Sequence, residues 1–177
     1  MNKKIPKSIE PEVRKALSFY PQLYSTPITF KFKKNIKKST MMAQPTYRSF
    51  LKRRRHRAYI ILISEKFKIS GVKFATKDIP SEVMIGWLGH ELGHVLDYER
   101  QSNIKLIVFG IKYFLFNNSI RKAERAADTF AVRQGMMKYI IATKNFILNH
   151  ADITERYKNR IKRYYLSPEE IMEIVEE

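Results

Sequence analysis

Two short stretches carry side chains whose types and spacing can do chemistry. The first is Trp87-Leu88-Gly89-His90-Glu91-Leu92-Gly93-His94-Val95-Leu96-Asp97-Tyr98. His90 and His94 stand four positions apart. In a helix that spacing puts both imidazoles on one face, one turn apart, so both reach a single cation. Glu91 lies about 100° round the helix from His90, close enough to touch a water on that cation. Two His ligands and a carboxylate that takes the water's proton are the parts of a catalytic zinc site. A structural helix that happens to carry two histidines is the bland alternative.

The second stretch is Glu124-Arg125-Ala126-Ala127-Asp128, about thirty residues downstream in another helical pattern. Glu124 and Asp128 again share a face by the four-residue rule. Ala127 and Ala131 lie on it too, small enough to admit the first helix. A two-His site needs a third protein ligand, and Glu124 can supply it while leaving one position open for water. Asp128 can then accept the free N–H of a ligand histidine and fix its tautomer. Without a metal, Glu124 and Asp128 are a solvated charge pair beside Arg121 and Arg125.

These groups need elements to position them. Val83, Trp87, Leu88, Leu92, Val95 and Leu96 form an apolar stripe, as in a helix buried on one side. Asp78 or Ser81 can cap its start, with Pro80 in the first turn. Gly86, Gly89 and Gly93 each cost about 1 kcal/mol relative to Ala inside a helix. Their presence points to close approach of another backbone or of a substrate.

The pairing of HELGH with a downstream ERAAD resembles the gluzincin metallopeptidases, in particular the minigluzincins and the HtpX-type peptidases. The resemblance covers roughly residues 58–150. It implies an α+β, zincin-like fold, with a small mixed sheet, an HExxH helix, a glutamate helix and a C-terminal helical region. It implies Zn2+ on His90, His94 and Glu124, Glu91 as general base, Asp128 behind the ligands, and a peptide or protein substrate. Gluzincins supply an oxyanion donor downstream of the glutamate. His150 is the first candidate here, followed by Tyr157, Arg156 and Arg160. HtpX-type enzymes have His-Pro and then Arg-Ile in that region; this chain has His150-Ala151 and Arg160-Ile161, without the proline. The strand preceding the HExxH helix forms the upper rim of the cleft in gluzincins, which makes Ala58–Ser64 the candidate for that role; a plain central strand is the alternative, which its hydrophobicity also suits. Glu124 to Ala131 is also similar to the ExxA-x-x-FA flavour of ImmA/IrrE-type proteins, which cut or control a transcription regulator. The leucine-proline continuation expected there is replaced by Val132-Arg133-Gln134-Gly135.

At 177 residues and 44% hydrophobic, the chain can bury one core, so residues 1–177 are expected to form a single domain. It has no cysteine, which excludes disulfides and a thiolate zinc site. No apolar run of signal-peptide length follows the basic N-terminus and none is long enough to span a bilayer, so the default location is cytoplasmic. The net charge of +17 bears on partners: nucleic acid, an anionic membrane surface or an acidic substrate.

In order, Ser8 to Phe19 reads as an amphipathic helix and Pro27 to Lys33 as a half-buried strand. Residues 34–57 read as a basic loop without acids, carrying Lys34, Lys37, Lys38, Arg48, Lys52, Arg53, Arg54, Arg55 and Arg57, with Tyr47, Phe50 and His56 interleaved. Such a stretch can bind phosphate backbones or remain a solvated loop. Ala58–Ser64 is an apolar strand, and Glu65 to Ala75 a short loop and strand turning at Gly71. Residues 103–118 are too short to cross a membrane. Three placements are open for them: a core helix, a flap over the cleft, or an interfacial helix assisted by Lys105 and Lys112. Ser119 can cap the ERAAD helix, which runs to about Gln134 and stops at Gly135. A helix follows from Met136 to Asn149. Residues 151–177 form a C-terminal helical extension: a basic helix to Tyr165, then a short one opened by Ser167 as cap and Pro168 at its first position.

Overall fold

Ile28, Phe30 and Phe32 alternate with Thr29, Lys31 and Lys33, and this period of two builds a strand with one face on the core. It is β2 (Ile28–Lys33) of a four-stranded sheet. In the computed structural model, which describes residues 3–34, 36, 39–50, 53, 56–69, 72–75, 78–150 and 153–176, the sheet order is β1-β2-β4-β3. β1 (Lys3–Lys4) and β4 (Tyr59–Ser64) run parallel to β2, while β3 (Met41–Pro45) is antiparallel to β4. The sheet is therefore small and mixed. Together with the dominant helices it makes an α+β molecule.

The helices are α1 (Glu10–Ser18), α2 (Tyr47–Phe50), α3 (Ser81–Arg100), α4 (Asn103–Leu115), α5 (Asn117–Ala131), α6 (Met137–Asn149), α7 (Glu155–Tyr164) and α8 (Pro168–Glu176). α3 is the hub, packed against α1, α5, α6 and β3. Its apolar stripe is buried as expected: Val83, Leu88, Leu92, Val95 and Leu96 all lie in the core, as does Trp87. Tyr20, just past α1, ties in by donating its hydroxyl to the Gly89 carbonyl at 2.6 Å.

Several expectations are corrected. The basic 34–57 stretch is not simply a loop, because it holds β3 and α2. Arg57 is buried rather than solvated. It donates to the Tyr98 carbonyl at 2.8 Å and to Asn103 Oδ1, bracing the junction of α3 and α4. There it meets the negative end of the α3 dipole. Tyr59–Ser64 forms β4 in the sheet interior, the plain central strand that its hydrophobicity suits, and β3 is the edge strand beside it. Residues 65–75 hold an antiparallel pair, β5 (Lys66–Ile69) and β6 (Val72–Ala75), rather than one strand. Neither Asp78 nor Ser81 caps α3. Pro80 is the N-cap residue, and the Ser81 hydroxyl donates to Glu12 at 3.1 Å. α5 starts at Asn117 behind Phe116, so Ser119 lies inside it. Gly71, Lys37, Lys38, Lys52, Arg54, Arg55, Ala151 and Asp152 lie outside the described residues.

Gly135 does end the ERAAD helix. It has φ of 86°, the left-handed region that suits glycine, within the turn linking α5 to α6. At α8 the Ser167 hydroxyl accepts from the Glu170 N–H and Glu170 accepts from the Ser167 N–H, a reciprocal capping box. Among the described residues, no helix is long and apolar enough to cross a membrane.

Candidate metal centre

Why α3 and α5 can lie so close is visible at two glycines. A methyl group on Gly93 would sit 2.5 Å from the Ala127 carbonyl oxygen of α5, and one on Gly86 would collide with the Tyr139 carbonyl of α6. The helix-propensity cost of these glycines is thus spent on backbone-to-backbone packing. Ala127 and Ala131 supply the small surface opposite, both fully buried.

That approach brings Glu124 to the imidazoles. His90 Nε2 lies 3.0 Å and His94 Nε2 3.5 Å from Glu124 Oε2. The ligand atoms of His90, His94 and Glu124 fall within 4.8 Å of one another and could hold a metal ion. Asp128, one turn along α5, accepts from His90 Nδ1–H at 2.8 Å. It also accepts from the buried Lys144 ammonium at 2.8 Å and the Leu166 N–H at 3.1 Å.

Electrostatics follow from these contacts. Burial opposes charge on His90, but hydrogen bonds to Asp128 and Glu124 outweigh it and raise the ring to about 10. Ionised carboxylates only accept, so both ring nitrogens carry protons between them. The Nε2 proton holds an imidazole and Glu124 together, as a divalent cation among the same donors would. Two imidazoles and a carboxylate, one imidazole fixed by an aspartate, are a donor set that could hold a divalent cation. Glu124 is buried, yet its histidine partners hold it well below the usual carboxylate range. Asp128 is also lowered, burial being overcome by the Lys144 charge and the His90 bond.

Glu91 differs. Burial pushes its carboxyl up, only partly offset by His94 and His90. It accepts the Ala43 N–H of β3 at 2.6 Å. Thr46 N–H and Ser64 N–H bond across the β3–β4 ladder, so the Ala43 amide is on the opposite, outer edge of β3.

The ring of His90 lies 5.5 Å from Tyr165, and His94 stacks on Tyr98 at 6.0 Å. Tyr113 of α4 donates its hydroxyl to Glu124 Oε1 at 2.6 Å. Of the downstream candidates, Tyr157 senses Glu124: burial raises its phenol, Arg160 lowers it and Glu124 raises it further. His150 ends α6, its ring 5.5 Å from Phe146, and is not one of the converging ligand groups. Arg156 is exposed and Arg160 half-buried.

The sequence reading did not find Tyr113, Tyr165, Lys144 or the Ala43 amide. Lys144 had a legible signal, since it shares a face with Ile140 and Ile147 of α6. β3 had a faint one in Met41-Met42-Ala43-Gln44, alternately buried and exposed. No signal marked the two tyrosines. No protein-family model, curated protein or solved structure matches the chain.

Proposed function

We propose that the chain is a zinc-dependent endopeptidase of gluzincin type, with a zincin-like arrangement of α3, α5 and the sheet. The observation that carries this is the convergence of His90, His94 and Glu124 beside Glu91, whose carboxylate rests on an edge-strand amide. Bound zinc supplies Lewis-acid polarisation of a peptide carbonyl and eases ionisation of a water.

The chain's own groups do the rest. Asp128 turns the His90 Nε2 toward the cluster and makes the ring more basic. Glu91, raised by burial, is suited to take a proton from a water at the cluster and pass it to the leaving amine. The outer edge of β3 offers main-chain groups to an extended peptide, and its Ala43 amide is the first of them to reach the catalytic carboxylate. Tyr157, His150 and Arg160 are the candidate oxyanion donors to vary.

The test combines metal analysis with hydrolysis of an unfolded protein. Glu91→Gln should keep zinc and lose turnover by about a hundred- to ten-thousandfold. His94→Ala should lose both. Equal cleavage by Glu91→Gln and the parent would refute the assignment.

A further inference from the structure

α4 has two unlike faces. Leu106, Phe109 and Tyr113 point inward: Leu106 is buried, Phe109 lies 5.8 Å from Tyr98, and Tyr113 bonds Glu124. At about 100° per residue, Ile104, Ile107, Val108, Ile111 and Leu115 fall together on the opposite side. All are exposed, at 75%, 50%, 43%, 55% and 68%. Phe116, next in the chain, is 56% exposed. A contiguous apolar stripe of this kind on a helix surface marks an interaction face.

Charge says what covers it. Lys105 and Lys112 project along one flank of the stripe, both exposed, and Arg121 and Lys122 stand exposed on the adjoining first turns of α5. Residues 101–123 contain no Asp or Glu. The whole chain carries +17. An apolar stripe bordered by cations, with no acid to repel phosphate, is the pattern of a helix lying in the plane of an anionic lipid surface. A protein partner would need no such one-signed border.

We propose that α4 docks the protein on anionic membranes, with the stripe from Ile104 to Leu115 in the acyl boundary and Lys105 and Lys112 at the headgroups. The metal-ligand cluster then faces away from the lipid, one helix thickness behind the surface. This docking does not depend on the peptidase reading, because the stripe and the cluster use opposite faces of α4.

The test is flotation of the full chain with vesicles of phosphatidylcholine alone or mixed with phosphatidylglycerol. The chain should float with the mixed vesicles and not with the neutral ones. Ile107→Asp with Ile111→Asp should cut flotation roughly tenfold or more, with an unchanged thermal unfolding profile. Lys105→Glu with Lys112→Glu should weaken it and flatten its salt dependence. His90→Ala should float like the parent. Equal flotation of the Ile107→Asp, Ile111→Asp variant would overturn the proposal, since diffuse basic charge would then suffice. So would a parent that sediments as a dimer, fails to float, and becomes monomeric in that variant, because the stripe would then be covered by a second copy.

Discussion

Two helices approach Glu124 from different sides and hold it in unlike ways. α3 meets it across a seam where Gly93 touches the α5 backbone, and offers two imidazoles from consecutive turns. α4 meets it through one phenol hydroxyl, while most of its apolar surface faces outward. The first contact is rigid because displacing it breaks close backbone packing and a buried polar network. The second is held by Leu106, an aromatic edge contact, the Tyr113 hydroxyl and the Arg57–Asn103 brace at the start of α4. The three candidate ligands thus come from α3 and α5, and α4 adds a cover over Glu124.

The largest expected effect tests the rigid side through pH. In metal-free protein the charged His90 ring is stabilised by Asp128 and Glu124, which outweigh burial and raise it from 6.5 to about 10. A raised folded value means the stabilisation is complete below the unfolded value near 6.5 and is lost as pH climbs through 10. Urea midpoints of metal-free protein should therefore fall as pH rises through that window. A flat profile would break the claim that these carboxylates grip the ring.

Next comes Lys144→Met. It leaves the buried Asp128 without its ammonium, and removing one partner of such a pair costs about 3–5 kcal/mol. Chemical unfolding measures it. A loss below about 1 kcal/mol, the scale of an exposed pair, would mean that Asp128 is held by His90 and Leu166 alone.

Gly93→Ala is smaller because two effects oppose. Alanine recovers about 1 kcal/mol of helix propensity. Its methyl meets a backbone oxygen at 2.5 Å, and overpacking of that kind costs about 1–3 kcal/mol. Backbone cannot rotate aside, so net destabilisation and weaker zinc binding are expected. A more stable variant with unchanged zinc affinity would show that the seam has slack.

Tyr113→Phe should have the least effect, about 1 kcal/mol, with zinc still bound. Hydrogen exchange sharpens the contrast: α4 amides should open at lower free energy than those of α3, and the substitution should lower α4 further without touching α3. Equal protection of the two helices would erase the distinction drawn between them.

Much of the candidate site was legible because its parts are local. The four-residue spacings of His90 with His94 and Glu124 with Asp128 need only helical periodicity, and both segments are helical. The three glycines announced a close approach, and Gly86 and Gly93 meet neighbouring backbones. The strand facing Glu91 was not legible: the hydrophobicity of Ala58–Ser64 suits the central strand it forms, whereas an edge strand such as β3 needs less burial. β3 is short and sits among basic residues that hide its alternation. The caps of α3 and α5 were misplaced by a few residues, because a serine near a helix start caps it only if its backbone lies outside.

By itself the sequence determined which residues share a helical face, where Gly135 ends a helix, and that His90, His94 and Glu124 are side chains of metal-binding type. Those are consequences of period and side-chain type, properties a short segment carries alone. Only tertiary structure decided that α5 lies against α3 through Gly93, that Ala43 holds Glu91, that Lys144 neutralises Asp128, and that Tyr113 covers Glu124 with the apolar face of α4 turned out. Each joins positions far apart in the chain, and such pairings follow from how whole elements fill a shared core, which no local pattern encodes.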